Sequence, residues 1–419
     1  MSRVVLFTGK GGVGKTTLAA ATAAGIAKSG TPVLVVSTDP AHSLGDTFGT
    51  RLSGEPTEIA TGLFAGHVDA RALLDAVWSQ LREHLHAVLG GAGVAEIDAE
   101  ELTVLPGVED LLALAEVQRL AASGPWQAVV VDCGPTAETL RLLALPEAFS
   151  GYLQRLFPAN RRMLRAMLGG LSGGKAGDSL DATADALAGL AERLSALRGL
   201  LTDTDSTSVR LVLTPERVVV AETLRTLTAL GLQGIRVDGV IANRLVPKSR
   251  LGAGVAARWM RTRRAEQDAV LADVRAASDE PLRTVEHLAS EPVGLPALLR
   301  LAEALYGGSD PLAVGDPDLP PLLSVTGGGR GARSEYQLRI TVPLQPDADL
   351  DMARVADDLA ITIDGRRRLV ALPAVLRRCV VTGAESDEGG VVVRFRPDAA
   401  AYTDTDAGAM ASDQGKVAR

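Results

Sequence analysis

Glycines, lysines and hydroxyls, the groups that can hold a phosphate chain, stand together near the start of the sequence. Glycines let the backbone turn tightly, so that successive N–H groups point at one anion. Lys15 is spaced to reach the terminal phosphates of a nucleotide, and the Thr16 hydroxyl is spaced to ligate Mg²⁺. The pattern therefore predicts a P-loop that binds ATP with Mg²⁺. Its members are Gly9, Lys10, Gly11, Gly12, Val13, Gly14, Lys15, Thr16 and Thr17.

The segments on either side of this loop fit the prediction. An apolar run at residues 4–7 is typical of a buried strand, and the alanine-rich residues 18–28 are typical of a helix. A strand, a glycine loop and a helix in this order form the P-loop context. The free N–H groups and partial positive charge of the helix N-terminus also favour an anion. A glycine-rich turn without a ligand is the alternative, and the complete pattern disfavours it.

Two carboxylates follow later apolar strands. Asp39 comes after residues 33–37, and Asp132 comes after residues 127–131. An acid at the carboxyl end of a parallel strand, beside a phosphate loop, faces the active crevice. Asp132 has the Walker B pattern, in which the carboxylate helps to hold Mg²⁺. Asp39 has a simpler alternative as a turn or N-cap residue, because Asp-Pro commonly starts turns.

The loop also contains a second lysine, Lys10, directly after its first glycine. This variant resembles the deviant Walker A loop of a dimeric ATPase class that includes the nitrogenase iron protein, the MinD and ParA proteins and the ArsA-like ATPases. The resemblance implies that Lys10 crosses a dimer interface to the partner's nucleotide. The alternative is a solvated lysine at the tip of a loop.

Two further motifs make the resemblance more specific. Residues 39–44 resemble switch I, and residues 132–143 resemble switch II, of the ArsA-like ATPases. That family comprises the arsenite-pump ATPase subunit and the chaperone ATPases that deliver tail-anchored membrane proteins. The resemblance implies that Asp39 orients or activates the attacking water, and that Asn243 reads the adenine edge. For Asn243 the alternative is an amide that closes a strand into a turn. Residues 137–138 are Ala-Glu where the family often has Gly-His.

Composition narrows the possible classes. A length of 419 residues predicts two or three domains. Hydrophobic residues make up 46% of the chain and aromatic residues only 3%, which predicts a core of Ala, Leu and Val. A net charge of −8 gives no footprint for general nucleic-acid binding. Two distant cysteines indicate a reducing cytosol. With no signal peptide and no apolar run of about eighteen residues, we expect a cytoplasmic protein whose membrane contact, if any, is peripheral.

Strands alternate with helices through most of the chain. This alternation, together with the resemblance, predicts an α/β P-loop ATPase domain over residues 1–307, with a mostly parallel sheet flanked by helices and a helical subdomain at 148–201. Residues 308–334 are rich in Pro, Gly and Asp and predict a linker. Short alternating strands over 335–398 predict a small all-β sandwich. Residues 399–419 predict a disordered tail.

Two segments of the β region, residues 368–373 and 389–393, are similar to the small heat-shock (α-crystallin) fold. Such a domain is appended to some bacterial ArsA-like ATPases. What this domain binds does not follow from the residues.

Residues 148–201 contain a candidate surface for a hydrophobic client. Leu164, Met167, Leu168 and Leu171 have helical spacing and share one face, and basic residues are interleaved with them. In the resembled family this region forms an apolar groove that opens or closes with nucleotide. The same stripe is equally consistent with a helix packed on the core.

The resemblance implies an ATPase that works as a homodimer, opening and closing with ATP turnover to handle a hydrophobic or membrane-associated protein client. An arsenite site is not expected, because Cys133 and Cys379 supply no trio of thiolates. One rival is a ParA- or MinD-like positioning ATPase, which needs a basic surface. Another is a slow nucleotide-dependent switch. The candidate basic residues are Arg258, Arg261, Arg263 and Arg264, diluted by Glu266 and Asp268.

Overall fold

The computed structural model describes most of the chain outside one long central segment. It describes residues 2–40, 43–73, 75, 108–134, 195–248, 254–313, 323–328, 334–342, 344, 348–355, 357–387 and 389–398. The chain divides into two compact units, Met1–Thr226 with Ile235–Gly315, and Leu227–Gly234 with Asp316–Arg419. We call them the nucleotide unit and the β unit.

An eight-stranded sheet forms the centre of the nucleotide unit, in the order β3-β4-β2-β5-β1-β6-β7-β8. All neighbours pair in parallel except β3, which is antiparallel to β4. The strands are β1 (Arg3–Thr8), β2 (Val33–Ser37), β3 (Thr57–Ala60), β4 (Leu63–His67), β5 (Ala128–Asp132), β6 (Thr207–Leu213), β7 (Val237–Leu245) and β8 (Leu282–Glu286).

The central strands are buried on both faces, which is why they are near-continuous apolar runs. Helices supply the cover. In the described part of this unit they are α1 (Lys15–Lys28), α2 (Ser43–Phe48), α3 (Val108–Ser123), the first part of α4 (Arg217–Gln233), α5 (Val255–Ala277) and α6 (Leu295–Tyr306). Residues 227–233 of α4 belong to the β unit. None of the described helices is long and apolar enough to cross a membrane. The predicted mostly parallel α/β fold is confirmed.

The predicted helical subdomain at 148–201 lies almost entirely outside the described residues. Only its last part, residues 195–201, is described, and these residues are helical. The switch II residues 135–143 and the switch I residues Ala41 and His42 also lie outside the described part.

A buried polar network ties the interior strands to α1 and α6. The Arg210 guanidinium of β6 pairs with the Asp238 carboxylate of β7, with Nε 3.0 Å from Oδ1, and both side chains are almost fully buried. Arg210 also donates to the Tyr306 hydroxyl at 2.8 Å, and the hydroxyls of Tyr306 and Thr22 lie 2.7 Å apart. Because buried charges are tolerated only when paired, this network fixes β6 and β7 beside the helix that follows the P-loop.

The β unit is a two-sheet antiparallel sandwich, as predicted. One sheet has the order β14-β15-β10-β9 and the other β11-β12-β13. Side chains from both sheets, including Leu338, Ile361 and Phe395, share one apolar core. The elements are β9 (Leu323–Gly328), β10 (Glu335–Ile340), β11 (Leu350–Val355), β12 (Asp358–Ile363), β13 (Arg366–Ala371), α7 (Ala374–Arg377), β14 (Cys379–Asp387) and β15 (Gly390–Pro397).

One strand lies where the sequence predicted only a linker. β9 falls within residues 308–334 and pairs with β10 along its length. It is an edge strand, mostly exposed, and ends in two glycines. Glycine and exposure weaken the strand pattern, which is why the sequence did not reveal it. The predicted tail, residues 399–419, lies outside the described residues.

Candidate nucleotide-binding site

The P-loop joins β1 to α1 and depends on glycine at both ends. Gly9 has φ +150°, and a Cβ there would lie 2.1 Å from the Val212 carbonyl oxygen of β6. Gly14 precedes α1 in the left-handed conformation, with φ +96°, and a Cβ there would lie 2.4 Å from the Asn243 amide nitrogen. Only glycine fits either position without moving a neighbour. Gly11 and Gly12 are exposed between them, and Val13 is buried.

Lys15 opens α1 and turns back into the loop. Its side chain is buried, and its ammonium donates to the Gly9 carbonyl at 3.0 Å and the Lys10 carbonyl at 3.3 Å. The cation therefore lies inside the curve of the loop. Thr16 and Thr17 follow in the first helical turn, both partly buried. The first turn leaves backbone N–H groups without helical partners, which suits an anion.

Asp132 ends β5 and is fully buried. Its Oδ2 accepts a hydrogen bond from the Ser37 hydroxyl at 2.9 Å, whereas its Oδ1 has no hydrogen-bond partner among the described residues. Burial raises the pKa of Asp132 to about 6, and the nearby Asp39 charge adds to this. The hydroxyls of Thr16 and Ser37 and the Lys15 ammonium oppose that rise.

The donor set at Asp132 fits Mg²⁺. A buried carboxylate oxygen without a partner is costly unless something occupies it. Mg²⁺ prefers oxygen ligands, and here such an oxygen lies near the Thr16 hydroxyl. Thr16 and Asp132 are the residues that would hold the ion, and their role as metal ligands stays a prediction.

Ser37, the last residue of β2, joins the two carboxylate segments. It donates to Asp132, and its hydroxyl accepts the Asp39 N–H at 3.2 Å. Asp39 lies two residues beyond β2 and is partly exposed. The β2–β5 register places Ser37 directly beside Asp132. The backbone of Asp39 is thereby anchored next to the buried carboxylate.

Ser43 connects the same switch segment to the P-loop. Its hydroxyl lies 3.2 Å from that of Thr16 at the start of α1. The sequence argument did not single out Ser37 or Ser43. The available signal for Ser37 was a hydroxyl that closes an otherwise apolar strand. For Ser43 it was membership of the switch I motif.

Lys10 differs from Lys15 in both exposure and partner. Its side chain is 45% exposed, and its ammonium forms an ion pair at 3.2 Å with Glu222 of α4. Exposed pairs of this kind contribute little stability, so a stronger anionic partner can displace Glu222. Lys10 also lies at a cavity of about 460 Å³ whose lining includes Gly12, Pro215 and Arg244.

Asn243 supports the P-loop from β7. Its amide nitrogen donates to the Val13 carbonyl at 2.8 Å, and its Oδ1 accepts the Arg244 N–H at 2.9 Å. The side chain is thus held beside the loop by two backbone contacts. That it reads adenine stays a prediction.

The arginines of the proposed basic surface are partly neutralised. Arg263 pairs with Glu216 and Glu266, and Arg264 pairs with Asp268 and Glu286. Both cysteines are buried, and neither forms a disulfide in the described part of the chain. Among the described residues, no group of three or more His, Cys, Asp or Glu side chains could hold a metal ion.

Ser37→Ala should shift the acid limb of the ATPase pH profile upward by about one pH unit. The lost hydrogen bond favours the ionised carboxylate, so its removal raises the Asp132 pKa further above about 6. The protonated acid is a poor metal ligand. As the pH falls, the variant should therefore lose activity at a higher pH than wild type does. Turnover measured from pH 5 to 9 provides the check.

Ser206→Ala is the matched control, because its hydroxyl also bonds an aspartate, Asp203, at 2.6 Å, but on an exposed surface. That variant should keep the wild-type profile. An acid limb that Ser37→Ala leaves unmoved would contradict the role given to this bond.

Comparisons with known proteins give two family models that match the chain. The family model described as "Anion-transporting ATPase" matches residues 2–307, and that described as "HSP20-like domain found in ArsA" matches residues 333–395.

Three similar proteins illustrate the range of relatives. Protein Rv2184c of Mycobacterium tuberculosis is 40% identical over 95% of this chain and 96% of its own length. A putative arsenical pump-driving ATPase of Chlorobaculum tepidum is 32% identical over 89% of this chain and 91% of its own. ATPase GET3 of Paracoccidioides lutzii is 30% identical over 58% of this chain and 73% of its own length.

Proposed function

The chain belongs to the anion-transporting, or ArsA-like, ATPase family and carries that family's HSP20-like domain, and we propose that it is a Mg²⁺-dependent ATPase that acts as a homodimer on a hydrophobic or membrane-associated protein client. One observation carries the catalytic part. The unpartnered Asp132 oxygen is buried near the first turn of the P-loop helix, where Lys15 and Thr16 stand.

The proposed chemistry transfers the terminal phosphoryl group of ATP to water. The loop N–H groups and Lys15 hold the phosphates, and Asp39 orients the attacking water. Thr16 and Asp132 would hold Mg²⁺, which when bound would neutralise charge on the phosphate oxygens. Ser37 keeps Asp39 and Asp132 in register. The products are ADP and phosphate.

A second copy of the chain is proposed to complete each site. Lys10 is exposed, and its ion pair with Glu222 contributes little stability. Its ammonium can therefore exchange this partner for an anion of a neighbouring molecule. Two copies related by a two-fold axis would exchange this lysine reciprocally. ATP binding would close the pair and product release would open it. The deviant Walker A interpretation supports this arrangement.

The client part of the proposal depends on residues 148–201, most of which lie outside the described residues. Its sequence places Leu164, Met167, Leu168 and Leu171 on one helical face. Methionine suits a surface that accepts varied apolar partners, because its side chain is flexible and polarisable. Interleaved basic residues would favour anionic lipid headgroups or the charged flank of a membrane segment. We place the protein in the cytoplasm, in contact with membranes only peripherally.

Capture of an apolar helical peptide tests the client proposal. The purified chain should bind a peptide with about 20 apolar residues in one state only, with ADP and aluminium fluoride or with ADP. Met163 lies four residues before Met167, so the two share one helical face. The double variant Met163→Asp with Met167→Asp should lose capture while retaining ATPase turnover and melting temperature, because a groove faces solvent.

Val375→Asp, which changes an exposed apolar side chain of the β unit, should retain capture. A collapsed melting temperature in the double methionine variant would instead indicate buried charges in a core helix. That outcome would reject the groove at these positions. Equal capture in both nucleotide states would reject coupling between ATP and client.

A further inference from the structure

A single hydroxyl group interrupts the buried apolar surface of the helix that follows the P-loop. The buried side chains of α1 are Lys15, at the loop, and otherwise leucine, isoleucine and alanine, with Thr22 as the exception. Thr22 is fully buried and lies two helical turns beyond Lys15 on the same face. A buried polar group is costly unless it is hydrogen-bonded, so the partners of Thr22 indicate what its hydroxyl does.

The Thr22 hydroxyl has two partners, the Leu18 carbonyl at 2.7 Å and the Tyr306 hydroxyl at 2.7 Å. Its one proton goes to Leu18, so it accepts from Tyr306. A guanidinium only donates, so Tyr306 accepts from Arg210 and keeps its own proton for Thr22. The hydrogen bonds therefore run in one direction, from Arg210 to the Leu18 carbonyl. The Leu18 N–H in turn donates to the carbonyl of Gly14, the last glycine of the P-loop, at 3.1 Å.

Arg210 gives this series of hydrogen bonds a fixed starting point. Its guanidinium donates to the two carboxylate oxygens of Asp238, at 3.0 and 3.1 Å, and to the Pro311 carbonyl at 2.6 Å. The β1–β6 register places Arg210 beside Phe7, and the guanidinium carbon lies 5.9 Å from the centre of the Phe7 ring. Arg210 thus contacts the strand that precedes the P-loop, whereas Tyr306 contacts the helix that follows it.

Close packing of α6 on α1 brings Tyr306 within reach of Thr22. Gly25 of α1 permits this approach, because a Cβ there would lie 3.1 Å from the Cβ of Ala302. Tyr306 lies one turn beyond Ala302 on α6, and both are buried. The position of the Tyr306 hydroxyl against α1 therefore depends on helix packing as well as on Arg210.

We propose that Tyr306 is a positioning residue of the ATPase site, whose hydroxyl fixes α1 relative to β1 and thereby sets where Lys15 and Thr16 meet the phosphates. This inference rests on the proposed function and adds a residue that acts through α1 rather than on the nucleotide. A misplacement of about 1 Å at a reacting group can cost about 10²-fold in rate. Binding of the phosphates is shared among several loop N–H groups, so affinity depends less on the exact position of α1.

Tyr306→Phe tests this role, because it removes only the hydroxyl. The variant should lower kcat about tenfold or more, and should change the affinity for a fluorescent ATP analogue less than about threefold. Thr22→Val, which keeps the shape and removes the acceptor, should have the same effect. Thr22→Ser keeps a hydroxyl and should retain the wild-type kcat. Binding of the analogue and the melting temperature verify that each variant is folded.

Two further variants separate a positioning role from a loss of stability. The double variant Tyr306→Phe with Thr22→Val should be about as slow as either single variant, because both remove the same hydrogen bond. Thr226→Val is the matched control for Thr22→Val. The buried Thr226 hydroxyl likewise donates to the carbonyl four residues earlier, that of Glu222, at 2.9 Å, but on α4 rather than on the P-loop helix. This control should keep the wild-type kcat even if its melting temperature falls.

The outcomes separate this inference from the proposed function. Wild type without ATP turnover would refute both together. Active wild type with an unchanged kcat in Tyr306→Phe, or losses that multiply in the double variant, would overturn only the positioning role. An equal loss of kcat in Thr226→Val would also overturn it, because general destabilisation would then explain the effect. If Tyr306→Phe does not fold, an equal kcat in Thr22→Ser and Thr22→Val would overturn the inference, and a lower kcat in Thr22→Val alone would support it.

Discussion

Asp39→Asn should reduce ATP hydrolysis by about 10²- to 10⁴-fold while leaving ATP binding intact, since an amide cannot orient or deprotonate water as a carboxylate does. The fold should tolerate the change. Asp39 is partly exposed, and the bond that anchors it runs from its backbone N–H to Ser37, which the substitution retains. Single-turnover hydrolysis, with ATP affinity measured separately, gives the two numbers required.

Asp46→Asn provides the control for this substitution. Asp46 lies seven residues further on, on the exposed side of α2. The same change of acid to amide there should leave turnover within about twofold of wild type, as is usual for surface substitutions. Undiminished turnover in Asp39→Asn would remove Asp39 from the catalytic role, and loss of ATP binding would assign it a structural one.

Lys10→Ala should also reduce turnover, by about 10³-fold or more. Within its own chain, the described partner of the Lys10 ammonium is Glu222 of α4 and not a group of the phosphate loop. The expected reason is that the partner's phosphates lose a cation supplied in trans. The single chain should still bind ATP, because Lys15 remains. Its stability should change little, because an exposed ion pair with Glu222 contributes about 0–1 kcal/mol.

Lys28→Ala is the matched control for Lys10→Ala. Lys28 is likewise an exposed lysine in an ion pair, with Glu303 at 3.7 Å, and lies at the far end of α1. It should keep full activity. Lys10→Ala with wild-type turnover would mean that the second lysine is only a solvated residue at a loop tip.

The P-loop could be predicted from sequence because its requirements are local. Gly9 and Gly14 need backbone conformations that other residues rarely adopt, and Lys15 and Thr16 follow at fixed spacing. The same holds for the buried strand that precedes Asp39 and the one that ends at Asp132. Their apolar runs and terminal acids are visible without knowledge of their neighbours.

Contacts that depend on strand register could not be predicted from the sequence. The bond from Ser37 to Asp132 exists because β2 and β5 pair with those two residues opposite each other, 95 positions apart in the chain. The bond from Asn243 to the Val13 carbonyl similarly requires β7 to lie near the P-loop. A single sequence specifies neither pairing, so these hydrogen bonds could not be predicted from it.

The exposure of Trp259 is a second feature that the sequence could not predict. A tryptophan at helical spacing from other apolar residues is normally assigned to a core. Only the packing of the described residues shows that Trp259 is 62% exposed.

The most direct test of a homodimeric ATPase mixes two inactive chains, Lys10→Ala and Asp39→Asn. In a heterodimer, one site takes Asp39 from the Lys10→Ala chain and Lys10 from the Asp39→Asn chain, so it is intact. Half of randomly mixed dimers are heterodimers with one intact site each, so an equal mixture should recover about a quarter of wild-type turnover. No recovery, with heterodimers demonstrated by differently tagged chains, would contradict the account.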